Sequence, residues 1–159
     1  MTNEMEQRIQ SFEEWGLFVN KMITLDEKIW NASIEEGKWT IKSIVSHMML
    51  WDQYFYEEAI RKIALKKQVT LKHLDFDEFN CKAIAYGNST ETREIVEKAI
   101  SYRQKIINDI SVLSEEQIHQ TYLDAEGNVF YIPQYLEDFI WHDQHHMTPL
   151  KEYISSLRA

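Results

Sequence analysis

The residues most able to do chemistry in this chain are histidines. There are six: His47, His73, His119, His142, His145 and His146. Three fall within Trp141-His-Asp-Gln-His-His-Met147. On a helix, residues four apart share a face, so His142 and His146 project together and can hold one ion between them. At about 100° per residue, both lie on one shoulder of the apolar stripe, while His145 lies on the far side and is expected in water. His47 sits on the shoulder of another helical run, beside Trp51 and Tyr54. Two such shoulders facing across a groove would gather three imidazoles within aromatic walls. Three imidazole ligands leave coordination positions open for water or substrate, which marks a catalytic rather than a structural metal site. Neutral imidazole suits Zn, Ni, Fe and Cu alike, so the residues define the ligands better than the metal. The commoner explanations stand beside this one. Histidine pairs four apart arise by chance, and a lone His47 is more often a packed residue than a ligand.

Other residues bear on the same region. Asp143 falls inside the apolar stripe of its helix, where a carboxylate needs a partner. It either accepts a hydrogen bond from the N–H of a ligand histidine and so orients it, as metal-bound imidazoles usually require, or forms a structural ion pair. The pair is the stronger expectation. Arg103, on the stripe of the preceding helix, is the obvious partner, with Asp26 nearby in pattern. Trp51 reads as core, whereas Tyr54 and Glu58 share the His47 shoulder and are pocket candidates. Cys81 is more often inert than reactive if buried. His73 and His119 lie in polar contexts and are expected to be solvated.

These side chains need long helices to position them. The chain has 159 residues, suited to one domain spanning 1–159. Gly (4) and Pro (2) are too scarce for many short strands. A first helix is expected from about Met5 to Trp30, with Gly16, Val19 and Ile23 on its stripe and a break at Asn31-Ala-Ser and Gly37. A second starts after the N-cap Thr40, with Trp39 packing back as a staple, and fades near Lys67. Residues 68–92 are irregular, with a short helix over Asp75–Ala85 and a loop at Gly87-Asn88-Ser89-Thr90. A third helix covers Glu91–Leu113. Glu126-Gly127-Asn128 turns a small hairpin. Pro133 opens a fourth helix that runs to Leu157, and Pro149 should bend it by freeing the His145 carbonyl. Four amphipathic helices with no strand set large enough for a sheet make an all-α four-helix bundle with a small irregular or hairpin segment before the last helix.

The net charge of −9, with no basic stripe, argues against nucleic acid, because gripping phosphates requires Lys and Arg. No apolar run reaches membrane-spanning length. A single cysteine and a polar N-terminus without an apolar leader core point to the cytoplasm.

At the histidines, the chain resembles the DinB superfamily. Trp39-Thr-Ile-Lys-Ser-Ile-Val-Ser-His47-Met-Met-Leu-Trp51-Asp is similar to that family's helix-two signature, with a histidine eight residues after the Trp. His142-Asp-Gln-His-His146 is similar to its last-helix signature, and Asp75-Phe-Asp-Glu-Phe-Asn80 to its inter-helix segment. The resemblance implies a four-helix bundle with one divalent metal, Zn or Ni, on His47, His142 and His146. It also implies a homodimer and a small-molecule substrate, which includes a low-molecular-weight thiol in related S-transferases and a mycothiol-dependent isomerase. The implied activity is thiol S-transfer with a metal-bound thiolate. The alternatives are metal-dependent hydrolysis, or binding of a small molecule or metal without turnover. Ligand histidines must be neutral, so activity and metal should be lost as pH falls through the imidazole range near ~6.5. Thr148-Pro149 stands where family members often carry Gln or a similar polar residue, which puts the aim of His146 in question.

Overall fold

The computed structural model describes residues 1–158. The chain begins with α1 (Asn3–Met22), which ends sooner than its stripe predicts. The Thr24 hydroxyl donates back to the Lys21 carbonyl, and Asp26 caps a separate one-turn helix, α2 (Glu27–Trp30). The Trp30 indole then donates to the carbonyl of Met22, using one of the acceptors that the helix end leaves free. Trp15 and Met22 face the core, whereas Ile23 is 44% exposed.

Thr40 accepts from the Ser43 backbone N–H and starts α3 (Ile41–Phe55). A π-helical turn at Tyr56–Ile60 carries it into α4 (Arg61–Ala64), and Lys66, in the left-handed region at φ 58°, ends the run near the expected lysines. The next helix is longer than expected. α5 (Phe76–Ser89) starts at its cap Asp75 and continues through Gly87-Asn88-Ser89, where a loop was expected. Gly87 explains this: a Cβ there would meet the Ser46 Cβ at 3.3 Å, so glycine lets α5 lie close on α3. α6 (Thr92–Ser111) follows. A capping box between Ser114 and Gln117 then forms a one-turn α7 (Glu115–His119) that no apolar stripe announced.

β1 (Tyr122–Leu123) and β2 (Val129–Phe130) pair antiparallel, Tyr122 against Phe130, with Gly127 at φ 81° in the turn. α8 (Ile132–Leu157) has Pro133 in its first turn and continues through Pro149 to its end. The fold is an all-α four-helix bundle of α1, α3–α4, α6 and α8. α5 packs on the outside of α3, and the hairpin precedes α8. Among the described residues, no helix is long and apolar enough to cross a membrane.

The core is two apolar clusters. One gathers Met5, Phe12, Ile60, Ile106 and Leu136; the other gathers Trp15, Trp30, Met48, Ile95 and Met147. Arg103 crosses the waist between them at 2% exposure. It donates to Asp143 at 2.7 and 3.1 Å, to Asp52 at 2.8 and 3.2 Å, and to the Phe12 carbonyl at 2.7 Å. The guanidinium also lies 3.8 Å above the Phe12 ring. Asp143 is thus half of a structural ion pair, and Asp52 is a second carboxylate that the stripe pattern did not single out. Asp26 has no part in it; it is exposed and caps α2.

Candidate metal centre

His47 lies two turns into α3; His142 and His146 lie one turn apart on α8. The two helices face each other across a groove filled by side chains, such as Phe55 against Phe139 with ring centroids 4.9 Å apart. There the three imidazoles meet, each offering one nitrogen within 4.8 Å of the others. The Nε2 atoms of His47 and His142 are 3.4 Å apart. Tetrahedral coordination with bonds of ~2.0–2.1 Å sets ligand nitrogens roughly 3.3–3.4 Å apart, so this pair already has the spacing an ion needs. The donor set, three imidazoles without a carboxylate or thiolate, suits Zn or another borderline divalent cation.

Burial is the first cause of the site's electrostatics. His47 is 6% exposed. Its pKa is lowered to about 4 by burial and then by the neighbouring His146, with Asn80 acting the other way. His142 is lowered to about 4 by burial and then by His47, His145 and Arg103. His146 is lowered to about 4 by burial, then by His142 and His145. All three are therefore neutral well below the ordinary imidazole range, and protons compete for the nitrogens only near pH ~4, not near ~6.5.

Asp143 adjoins His142, but its carboxylate is engaged by Arg103 and does not orient an imidazole. Burial pushes both Asp52 and Asp143 up, and Arg103 opposes it. For Arg103 itself burial works against the charge, yet the two carboxylates outweigh it and hold the guanidinium protonated. The triad fixes α3, through Asp52, and α8, through Asp143, to α6. Both helices that carry the histidines are thus tied to one guanidinium.

The walls are aromatic. Trp39 packs edge-on against His47 at 5.1 Å, Trp51 lies 6.5 Å from His47, and Phe139 lies 5.6 Å from His142. Trp51 is a wall residue fixed by stacking on Phe79 at 4.0 Å. Tyr54 and Glu58 turn elsewhere. The Tyr54 hydroxyl donates to the Lys72 carbonyl and accepts from the Lys72 N–H, both at 3.0 Å. Glu58 accepts from the Thr70 hydroxyl. Both hold the segment after α4, which packs back against them.

A cavity of about 470 Å³ opens beside the cluster, lined by Ile34, Trp39, Ile44, His145, His146 and Pro149 among others. Trp39 thus belongs to the site wall as well as to the start of α3. His145 is exposed and stacks on Trp141 at 5.2 Å. Pro149 does not divert His146 from the cluster. His73, His119 and Cys81 are exposed and away from it.

These features can be set against known proteins. The model of the DinB superfamily matches residues 10–148. No protein of curated function matches the sequence. YfiT from Bacillus subtilis, described as a probable metal-dependent hydrolase with an unusual four-helix bundle topology, is similar in structure. Its TM-score is 0.77 at 12% identity, over 99% of this chain and 90% of that one. A mycothiol-dependent maleylpyruvate isomerase is similar with a TM-score of 0.70 at 15% identity; 94% of this chain covers 63% of that one.

Proposed function

The chain belongs to the DinB superfamily, and from that premise we propose that it is a metal-dependent enzyme acting on a small molecule. One divalent cation, Zn or Ni, is held by His47, His142 and His146. The observation that carries this reading is three neutral, shielded imidazoles converging beside a cavity of about 470 Å³. A cation bound there would supply Lewis acidity, lowering the pKa of a thiol or a water so that a nucleophile is available at neutral pH.

The chain's own residues do the rest. Burial keeps the three rings unprotonated and so available as ligands. Trp39 and Ile44 give the cavity apolar faces that limit water around the reacting group. His145, exposed at the cavity rim, is not a ligand. Thiol S-transfer to a small electrophile is the reaction we favour, and the mycothiol dependence of the similar isomerase supports a low-molecular-weight thiol as co-substrate. Hydrolysis is the second reading, favoured by the description of YfiT, which this chain matches over nearly its whole length.

The test is to load purified protein with Zn or Ni and assay two reactions: thiol–electrophile conjugation, and hydrolysis of activated esters and amides. We expect multiple turnovers of conjugation that stop on chelation and in His47→Ala and His146→Ala alike, with His145→Ala active. Hydrolysis without thiol dependence would favour the second reading. Full metal occupancy in His47→Ala would overturn the three-histidine site.

A further inference from the structure

A metal ligand needs its lone pair aimed as well as unprotonated. In neutral imidazole one nitrogen carries the proton, and which one is set by the partner of the other. The Nε2 of His47 faces the Nε2 of His142 at 3.4 Å, so ligation through Nε2 requires the proton on Nδ1. That Nδ1 is buried and makes no hydrogen bond meeting ordinary geometric limits. The side-chain oxygen of Asn80 is likewise buried and without a partner. A buried donor and a buried acceptor each left alone cost about 1–3 kcal/mol, which a short shift bringing them together would remove.

The packing of α5 on α3 puts the two side by side. The helices run antiparallel. Gly87 lies on Ser46, the Ser46 hydroxyl donates to the Ala83 carbonyl at 2.7 Å, and Phe79 stacks on Trp51. Asn80, between Ala83 and Phe79, falls opposite the stretch between Ser46 and Trp51, where His47 lies.

We propose that Asn80 is a positioning residue for His47: its side-chain oxygen accepts a hydrogen bond from Nδ1–H and turns Nε2 toward the metal point. This rests on the three-histidine reading for its purpose, but not for the contact itself. The opposing influence of Asn80 on the His47 pKa agrees with an acceptor at that ring. The role is the one that outer-shell acceptors commonly play for metal-bound histidines. The short helix expected over residues 75–85 contained Asn80, but only its packing against α3 shows which face the residue uses.

The test uses two variants of the full chain, Asn80→Leu and Asn80→Asp, with far-UV circular dichroism to verify folding. Nitrogen NMR of the metal-free protein reads the His47 tautomer, and zinc titration against a chromophoric chelator reads affinity. Wild type is expected to carry the His47 proton on Nδ1. Asn80→Leu should lose that preference and bind zinc about 10–100-fold more weakly. Asn80→Asp, which keeps an acceptor, should retain both properties. A wild-type His47 protonated on Nε2, or a tautomer unmoved in Asn80→Leu, overturns the proposal even if affinity falls, because an affinity loss alone would be structural. If Asn80→Leu does not fold, Asn80→Asp together with the wild-type tautomer decides: loss of the Nδ1 proton in the Asp variant overturns it. If wild type binds no zinc, the metal reading fails while the tautomer still tests the contact.

Discussion

Holding one buried and two half-buried imidazoles within a few ångströms of one another trades protonation for availability. Each is lowered from 6.5 to about 4. Between those values the unfolded chain binds more protons than the folded one, so the histidines' contribution makes stability fall as pH drops below ~6.5, and level off below ~4. We therefore expect the Tm of the metal-free protein to fall more steeply from pH 7 to 4.5 than that of a variant with all three histidines changed to Gln. The comparison is needed because Asp143, raised by burial, has the opposite slope: a carboxylate with a raised folded pKa loses stability as pH rises. Equal slopes for the two proteins would mean that the histidines titrate normally. At neutral pH the same shifts leave all three rings unprotonated, so no proton must leave before an ion binds.

Between elements, the Asp52–Arg103–Asp143 triad has the largest consequence. It ties α3 and α8 to α6, five residues after His47 and one after His142. Removing one partner of a buried ion group costs about 3–5 kcal/mol, because the remaining charges are left uncompensated. Arg103→Ala should lower stability by that order in denaturant unfolding and weaken zinc binding, as the register of the ligand helices loosens. Replacing all three by apolar residues of similar volume should recover most of the stability. If zinc affinity in that apolar variant equals wild type, the triad serves stability alone. The α5–α3 contact at Gly87 and Ser46 is the other joint that matters, since it carries the side chains of Asn80 and Phe79 to the site.

For the molecule as a whole, the apolar clusters and not the metal should hold the fold. Each fully buried large apolar side chain contributes roughly 1.5–3 kcal/mol, and both clusters contain many. Chelation should therefore leave far-UV circular dichroism nearly unchanged and lower Tm only by the binding term lost with the ion. Collapse of the helical signal on chelation would make the ion structural and weaken the enzyme reading. The open cavity beside the histidines fits a site that must admit substrate, and small Tm losses on chelation would agree with it.

Much of this was legible in the chain alone. Apolar residues at three- and four-residue steps specify a bundle because helical spacing and a single buried face are local properties of sequence. The i, i+4 spacing of His142 and His146, and the exposure of His145, follow from the same geometry. What local pattern does not contain is which faces meet. Ile23 is exposed where Thr24 and Asp26 end α1 early, and the core takes Trp15 and Met22. Tyr54 and Glu58 share a helix shoulder with His47, yet bond to Lys72 and Thr70, because the segment after α4 packs back on their side. Asp52 on α3 is far in sequence from Arg103, and Asn80 on α5 is far in sequence from His47; only packing brings each pair together. The partner of a buried charge, and the acceptor beside a buried ring, are decided by contacts between distant segments, and such contacts exist only once the helices have packed.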